Sequence, residues 1–357
     1  MRTSLLLLTG SALLAACGDE TTQPNPVGDE AATTASAVAH DSWLTLANMP
    51  VNRTDLATAT VTNAAGQSVV YAIGGVGWGQ NPGSPVAKVT AYNVATNVWT
   101  SRRPLPKPLA LTNGAGVLNG MIYVTGGYPD IGMNFPWPTV YVYDPATNIW
   151  TRKRDMPTVN GEPGRQYPAG GGITGVIDGK LYVVSGCYLK DPTYGSLYQY
   201  CNPLFLRYNP ATDRWVILPS PFPPSTYGLT TEPSIGGVIN GKFYVMAGSF
   251  ETSEAHFVVY DPATNQWTTR TPLHLRRPGA GSAVLGSKLY VMGGVRFNGV
   301  GQDILDITIV YDPVTDTSTR RASMPSPRYG IGASRVSLNG KPRIEVVGGT
   351  APENNLQ

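Results

Sequence analysis

The sequence predicts an all-β protein built from six copies of one four-stranded antiparallel unit. The first observation is a short apolar run that ends in two small residues, usually Gly-Gly, and occurs six times. The second is an Asn-Gly or Asp-Gly pair just before most of these runs. The third is a Tyr followed seven residues later by Trp, across a turn such as Asp-Pro-Ala-Thr-Asn. The 41 Gly and 31 Pro residues agree with a chain rich in turns.

Each apolar run has the composition of a buried strand. The runs are rich in β-branched and aromatic residues. Near the middle of each run, successive residues are apolar, so both faces of the strand are expected to be buried. The six runs are VVYAIGG, MIYVTGG, KLYVVSG, KFYVMAG, KLYVMGG and RIEVVGG, which end at Gly75, Gly127, Gly186, Gly248, Gly294 and Gly349.

Two kinds of turn connect the strands of the unit. Asn-Gly and Asp-Gly, as in LNG at 118–120 and IDG at 177–179, predict tight hairpins because these residues tolerate positive φ. In the DPATN-like turn, Asp accepts backbone N–H bonds and Pro presets φ. The Tyr residues before this turn are Tyr92, Tyr143, Tyr208, Tyr260 and Tyr311, and the residues after it are Trp99, Trp150, Trp215, Trp267 and, in the fifth copy, Ser318.

In their order and spacing these units resemble kelch repeats, whose hallmarks are the Gly-Gly pair and the spaced Tyr and Trp. The resemblance covers Trp43 to about Thr350. It implies a six-bladed β-propeller over residues 43–357, with four antiparallel strands in each blade. WLTLANMP from Trp43 matches WTRKRDMP from Trp150, so residues 43–49 are predicted to add the outer strand of the last blade and close the ring. Whether that blade has a full third strand stays open at this point.

The N-terminal residues predict export and lipid anchoring. Residues 1–16 combine Arg2 with an apolar stretch and end in small residues before Cys17, a pattern typical of a signal peptide. LAAC also resembles the lipobox of bacterial lipoproteins, which implies lipidation of Cys17 and an outer-membrane anchor on the periplasmic or cell-surface side. The alternative is simple cleavage and secretion. Residues 17–42 are interpreted as the lipidated Cys and a flexible tether.

The net charge and the cysteine residues limit the classes of function that the sequence supports. A formal net charge of +3, without a basic run, argues against nucleic-acid binding. In an exported protein, Cys187 and Cys201 are predicted to form a disulfide. A metal pair is the weaker alternative because no His lies nearby. We expect a monomer with no metal and no cofactor.

The loops after the Gly-Gly pairs vary in length and are predicted to form the binding face. Aromatic residues in these loops, including Phe250 and Phe297, suit stacking on sugar rings or anchoring of a peptide. The alternative is that they pack the loops against one another.

Positively charged residues form a second part of the predicted site. In kelch proteins that bind peptides, residues at the start of the first strand of each blade line the pocket, so the resemblance implies contacts there. Converging guanidinium groups favour an anion such as a carboxylate. The alternative is that the arginines are surface charges that pair with Asp55 or Glu232. The candidate ligand-binding residues are Arg53, Trp78, Trp137, Arg165, Tyr167, Tyr188, Tyr227, Glu232, Arg277, Arg296, Arg328 and Tyr329.

The expected function is a binding scaffold for a protein or a carbohydrate, without catalysis. Kelch-like copper radical oxidases need two His, two Tyr and a Cys near the axis. This chain has three His residues, of which His40 lies in the predicted tether, and neither loop Cys is expected on an axial strand. The alternative is a sugar epimerase or mutarotase, because the chain is similar to the bacterial sialic acid mutarotase in export, repeat type and blade number. That resemblance would place Glu232, Arg165 and Arg277 over the sugar. The repeat by itself carries no reaction.

Overall fold

The protein is described here from a computed structural model, which is all-β in the residues it describes. No helix occurs among those residues, and accordingly none of them forms a helix able to cross a membrane. The predicted all-β class is confirmed. The described residues are 2–6, 41–77, 83–129, 137–161, 164–166, 169–186, 204–222, 235–248, 255–271, 277–297 and 301–351.

The strands are short and follow one another closely along the chain. In the N-terminal part they are β1 (Arg2–Leu6), β2 (Ser42–Leu46), β3 (Arg53–Thr54), β4 (Ala57–Thr62), β5 (Ser68–Ile73), β6 (Val76–Gly77), β7 (Ser84–Pro85), β8 (Val89–Asn93), β9 (Val98–Arg102), β10 (Ala115–Leu118) and β11 (Met121–Thr125). In the middle they are β12 (Val140–Asp144), β13 (Ile149–Lys153), β14 (Val159–Gly161), β15 (Gly164–Gln166), β16 (Ala169–Ile177), β17 (Lys180–Gly186), β18 (Phe205–Asn209), β19 (Arg214–Leu218), β20 (Ile235–Ile239) and β21 (Lys242–Gly248). In the C-terminal part they are β22 (Ala255–Asp261), β23 (Gln266–Thr269), β24 (Gly281–Leu285), β25 (Lys288–Met292), β26 (Val295–Phe297), β27 (Gln302–Ile304), β28 (Thr308–Asp312), β29 (Thr317–Arg321), β30 (Tyr329–Leu338) and β31 (Lys341–Thr350).

Within the described part of the chain, most strands belong to six four-stranded antiparallel sheets. Five of them keep chain order: sheet 1 (β4-β5-β8-β9), sheet 2 (β10-β11-β12-β13), sheet 3 (β16-β17-β18-β19), sheet 4 (β20-β21-β22-β23) and sheet 5 (β24-β25-β28-β29). Sheet 6 combines both ends of the chain in the order β30-β31-β1-β2. The remaining strands form the small sheets β3-β6-β7, β14-β15 and β26-β27.

The six sheets are neighbours in cyclic order. Their first strands contact one another in the series β4, β10, β16, β20, β24, β30 and back to β4. Apolar clusters fill the spaces between adjacent sheets. One contains Ile73 and Tyr143 from sheets 1 and 2, and another contains Val347 and Val70 from sheets 6 and 1. Radial packing of this kind is the architecture of a β-propeller.

The turn between the third and fourth strands of a sheet also holds the preceding sheet. In sheet 2 the Tyr143 hydroxyl donates to Asn148 Oδ1 at 2.6 Å, and the Arg103 amide of sheet 1 donates to the same oxygen at 2.9 Å. The Trp150 indole Nε1 donates to the Arg103 carbonyl at 2.9 Å. We call this set of bonds the inter-sheet contact. It gives the repeated Tyr, Asn and Trp a structural role, as the repeat predicts.

The inter-sheet contact recurs with substitutions that keep its chemistry. Ser318 stands at the Trp position of sheet 5, where Asp316 Oδ1 still accepts from the Thr271 amide at 3.3 Å. In the contact between sheets 3 and 4, the residue that corresponds to Arg103 is Pro219, which has no amide proton to donate. The second bond of the contact remains, because Trp267 Nε1 donates to the Pro219 carbonyl at 3.0 Å.

The same contact joins the two ends of the chain. Trp43 Nε1 donates to the Ala322 carbonyl at 2.8 Å, and Asp41 Oδ1 accepts from the Ala322 amide at 3.0 Å. On the other side, Trp99 Nε1 donates to the Ala47 carbonyl at 3.2 Å. The outer strand β2 of sheet 6 is thereby bonded to sheets 5 and 1.

The third strand of sheet 6 comes from the extreme N-terminus. Leu5 is paired with Ile344 of β31 on one side and with Trp43 of β2 on the other. These residues lie in the segment 1–16, which the sequence pattern places outside the propeller as a signal peptide. An unpaired slot between β31 and β2 would leave backbone hydrogen-bonding groups without partners, and the extended backbone of β1 pairs with both strands.

Replacing Asn148 with Ala tests the inter-sheet contact. The change leaves the Tyr143 hydroxyl and the Arg103 amide without their acceptor, so we expect the free energy of unfolding to fall by about 2 kcal/mol. Asn148→Asp is the matched control, since Asp213 and Asp316 fill this position elsewhere, and it is expected to stay within about 0.5 kcal/mol of wild type. Urea denaturation measures both. Equal stability of the two variants would contradict the contact.

Candidate functional site

The propeller has two different ends. The hairpin end carries the tight turns between the first and second strands and the Asn- or Asp-containing turns between the third and fourth. The irregular face is the opposite end, where the first strands begin, the Gly pairs lie and the connections vary in length. The small sheets β3-β6-β7, β14-β15 and β26-β27 belong to these irregular connections.

Arg53, at the start of sheet 1, is buried and bound to the backbone. Its side chain is fully inaccessible. The guanidinium donates to the carbonyls of Gly74 and Lys88, each at 2.8 Å, and to Thr90 Oγ1 at 2.7 Å. Burial lowers its pKa to about 10, which leaves it protonated at neutral pH. These bonds favour a structural role for Arg53 over the expected contact with an anion.

Arg277 and Arg328 occupy the corresponding positions in sheets 5 and 6 and are also buried. Arg277 Nη1 donates to the Ile307 carbonyl at 3.0 Å, and Arg328 Nη1 donates to the Gly348 carbonyl at 3.2 Å. Burial lowers the pKa of both, that of Arg277 to about 10. The three guanidinium groups therefore satisfy carbonyls near the Gly pairs, and the structure does not bring them together on one anion.

The other candidate residues that can be placed lie in different sheets or connections. Arg296, on β26, forms an exposed ion pair with Asp303 at 2.6 Å. Trp137 is half-buried against the apolar cluster between sheets 1 and 2, and Tyr329 is half-buried at the start of β30. Arg165 lies in β15, where the backbone alone is described. Trp78, Tyr167, Tyr188, Tyr227, Glu232, Phe250, Cys17, Cys187 and Cys201 lie outside the described residues.

Backbone hydrogen bonds connect neighbouring sheets around the propeller axis. The Leu111 amide donates to the Asp55 carbonyl at 3.1 Å, the Asp55 amide to the Gly330 carbonyl at 2.8 Å and the Gly330 amide to the Gly279 carbonyl at 2.7 Å. The Gly171 amide donates to the Leu111 carbonyl. All five residues have positive φ, between 47° and 75°, which explains why three are Gly. We call these five residues the axial collar.

The axial collar borders a cavity of about 180 Å³ on the axis. The lining residues lie in, or just before, the first strands of all six sheets, with hydroxyl groups from Thr58, Thr112, Thr174 and Ser282. Asp55 is the one ionisable side chain among the described lining residues. A polar cavity of this size accommodates ordered water or a small polar group.

Asp55 gives this cavity a titratable charge. Burial raises the pKa of its carboxyl to about 6, and a hydrogen bond with the Thr54 side chain offsets part of that rise. A Cβ atom added to Gly330 would lie 2.9 Å from Asp55 Oδ1, so the carboxyl packs over the Gly330 backbone. Burial raises the pKa of Tyr329, and the charge of Asp55 raises it further. From the sequence, Asp55 is expected only as a partner for arginines, because its axial position depends on how the six sheets meet.

In the part of the chain that the structure describes, no three His, Cys, Asp or Glu side chains are grouped to hold a metal ion.

The cyclic order of sheets and the axial cavity define a β-propeller. A kelch motif model matches residues 112–157, 236–274 and 276–325. The chain therefore contains kelch motifs over these residues.

Known proteins similar to this chain include two that are named kelch-like. It is 28% identical to Kelch-like protein terF of Aspergillus terreus over 86% of this chain, and 30% identical to Kelch-like protein 15 of Danio rerio over 65% of this chain. The matches span 65% and 37% of those two proteins. The solved structure of YjhT is similar in fold, with a TM-score of 0.61 and 16% identity over 87% of this chain and 98% of that one.

Arg53→Ala should be strongly destabilising. It removes the donor from the buried Gly74 carbonyl, the part-buried Lys88 carbonyl and the buried Thr90 hydroxyl, so we expect a loss of about 3 kcal/mol or more in the free energy of unfolding. Arg296→Ala removes an exposed ion pair and should cost no more than about 1 kcal/mol. Chemical denaturation of both variants measures the difference. A loss for Arg53→Ala as small as that for Arg296→Ala would show that the guanidinium is not a structural donor.

Asp55→Asn should raise stability in a pH-dependent way. A carboxyl whose pKa is raised in the folded state, here to about 6, stabilises below its unfolded pKa and loses that contribution as pH rises through 6. Asn removes this half-buried charge, so at pH 8 the free energy of unfolding of the variant should exceed that of wild type by on the order of 1–3 kcal/mol, and at pH 4 the gain should vanish. Asp144→Asn, at an exposed turn, should show no gain at pH 8. Thermal unfolding across this pH range measures the effect, and a pH-independent difference would contradict the burial of Asp55.

Proposed function

We propose that the protein is an exported, lipid-anchored kelch β-propeller that binds a protein or a carbohydrate through its irregular face. The observation that carries this proposal is the difference between the two ends of the propeller. At the hairpin end the repeated Tyr, Trp, Asn and Asp side chains are engaged in the inter-sheet contacts. The irregular face has connections of varied length and sequence on a rigid base, which is the usual location of binding sites.

Export and anchoring are supported by the N-terminal sequence. The proposed signal peptide is residues 1–16, and the proposed lipidated residue is Cys17. The propeller would then face the periplasm or the cell surface from the outer membrane. The proposed disulfide between Cys187 and Cys201 suits that oxidising compartment.

Binding is favoured over catalysis because few of the charged groups placed near the axis by the described residues are available for proton transfer. General acid–base catalysis commonly uses an acid and a base placed near the reacting atoms. The axial cavity has Asp55 as its ionisable group in the described lining, while Arg53, Arg277 and Arg328 are bonded to backbone carbonyls. A side chain already engaged in this way contributes little to a reaction.

A sugar epimerase or mutarotase is the second candidate. The observation that favours it is the pKa of Asp55, raised to about 6, because a carboxyl that titrates near neutral pH can both give and take a proton. In this alternative Asp55 exchanges the proton at the axis.

A glycan array and an envelope cross-linking assay test the binding proposal. Arg296→Ala and Trp137→Ala alter the irregular face, while Val314→Ala and Lys242→Ala alter the hairpin end and serve as controls. We expect captured glycan or cross-linked envelope protein to fall at least tenfold for one or both irregular-face variants and to be unchanged for the controls. An equal loss in all four variants would contradict a role for the irregular face. Acceleration of N-acetylneuraminate mutarotation that is lost in Asp55→Asn would favour the enzyme instead.

A further inference from the structure

A cleft between sheets 1 and 2 at the hairpin end is larger than the axial cavity. Its volume is about 680 Å³, which lies in the range of small-molecule sites. Strand ends and turns of both sheets form its walls. The lining from sheet 1 includes the apolar residues Val61, Val69 and Val98, together with Tyr71 and Arg102. We call this space the side cleft.

The side cleft lacks an ion pair that is present at the equivalent position of sheet 4. There, Lys242 at the start of the second strand pairs with Asp261 at the end of the third, at 2.8 Å. In sheet 1 the residues paired at this position are Val69 and Asn93. Valine is shorter than lysine and carries no charge. This edge of the side cleft therefore has neither the long stem of a lysine nor its ammonium group.

Arg102 brings a positive charge to the side cleft. Its Nε is buried and has no hydrogen-bond acceptor among the described residues, and none of the ion pairs between described residues includes it. Burial raises the pKa of the Tyr71 hydroxyl, while the charge of Arg102 and a hydrogen bond with it offset part of that rise. A guanidinium placed in this way next to a hydroxyl group favours an anion.

Arg270 occupies the corresponding position in sheet 4, three residues after the fourth-strand Trp. Its Nε is likewise buried without a described acceptor. The next sheet supplies it with a negative charge. Burial acts to raise the pKa of Asp316, but hydrogen bonds and the charge of Arg270 lower it overall. In sheet 2 the residue at the position of Asp316 is Asn148, which is neutral. Arg102 therefore lacks the carboxylate that Arg270 has in the neighbouring sheet.

We propose that the side cleft binds a small organic carboxylate with an apolar body. The carboxylate of the ligand would accept hydrogen bonds from Arg102 and supply the negative charge that Asp316 supplies to Arg270. The apolar body would pack against Val69 and Val98. This site is separate from the irregular face, because its lining comes from the opposite end of the propeller.

Asp144 limits the charge that the ligand can carry. It lines the side cleft from sheet 2, where the residue opposite it is Met121 and not a lysine as in sheet 4. Its carboxylate accepts from the Thr147 hydroxyl at 2.8 Å and from the Ala146 amide at 2.9 Å, and these bonds lower its pKa. A second carboxylate on the ligand would meet this negative charge. The site therefore favours monocarboxylates over dicarboxylates.

Calorimetric titration of the full chain with N-acetyl-leucine tests the site. N-acetyl-leucinamide has the same apolar body without the charge and should bind more weakly by about tenfold or more. Arg102→Gln should weaken binding of the acid by a similar factor, whereas Arg270→Gln, the matched control in sheet 4, should keep it within about twofold. Absence of binding of the acid to the wild-type chain, equal affinity for acid and amide, or an equal loss in the two variants would overturn the proposal.

A charge placed at the rim tests the site without altering a buried residue. Val98 and Ile149 begin the fourth strands of sheets 1 and 2, and both side chains are about half exposed, so both substitutions should preserve the fold. Val98→Asp places a negative charge in the lining and should weaken binding of N-acetyl-leucine by about fivefold or more. Ile149→Asp, the matched control, should leave it unchanged. Wild-type affinity in Val98→Asp would contradict a carboxylate in the side cleft.

An internal competitor tests the role of Arg102. Asn148→Asp gives sheet 2 the carboxylate that Asp316 provides in sheet 5, and its stability is expected to remain close to that of wild type. The new charge should pair with Arg102 and lower the affinity for N-acetyl-leucine by about fivefold or more. An unchanged affinity in this variant would contradict the assignment of Arg102 as the partner of the ligand carboxylate.

Discussion

The propeller depends on a repeated contact in which one side-chain oxygen of a turn is shared between two neighbouring sheets. In each repeated turn, an Asn or Asp oxygen accepts a Tyr hydroxyl from its own sheet, and in most copies it also accepts an amide from the preceding sheet, as at Asn148. A single side chain therefore sets both the shape of the turn and the position of the neighbouring sheet. At the junction of the chain ends, Asp41 and Trp43 make the corresponding bonds to Ala322, so the seam is held by the same chemistry as the other junctions.

Concentrating these contacts at the hairpin end leaves the opposite end free to vary. There the buried arginines satisfy carbonyls near the Gly pairs, and the axial collar links neighbouring sheets by backbone bonds. Both features act through backbone atoms and place few demands on the surrounding side chains. The loops of the irregular face can thus change in length and composition while their base stays fixed, with Asp55 supplying a charge that titrates near pH 6 at the axis.

The strands and turns were predictable because their signals are local. A hairpin at Asn119-Gly120 or a turn closed by Asn148 follows from the φ values that these residues tolerate. The role of Arg53 was not predictable, since a charge at the start of a strand does not reveal whether its guanidinium faces a loop or a buried carbonyl. The place of residues 2–6 in sheet 6 depends on pairing between distant segments.

Native-state hydrogen exchange at the amides of the inter-sheet contacts tests the closed ring most directly. Ala47 and Ala322 donate across the junctions that flank β2, whereas Arg103 and Arg154 donate across junctions within the continuous repeat. If the ring opens only on global unfolding, all four amides should show similar protection. Exchange of Ala47 and Ala322 near the rate of an unfolded chain, with Arg103 and Arg154 protected, would contradict closure by the N-terminal strand.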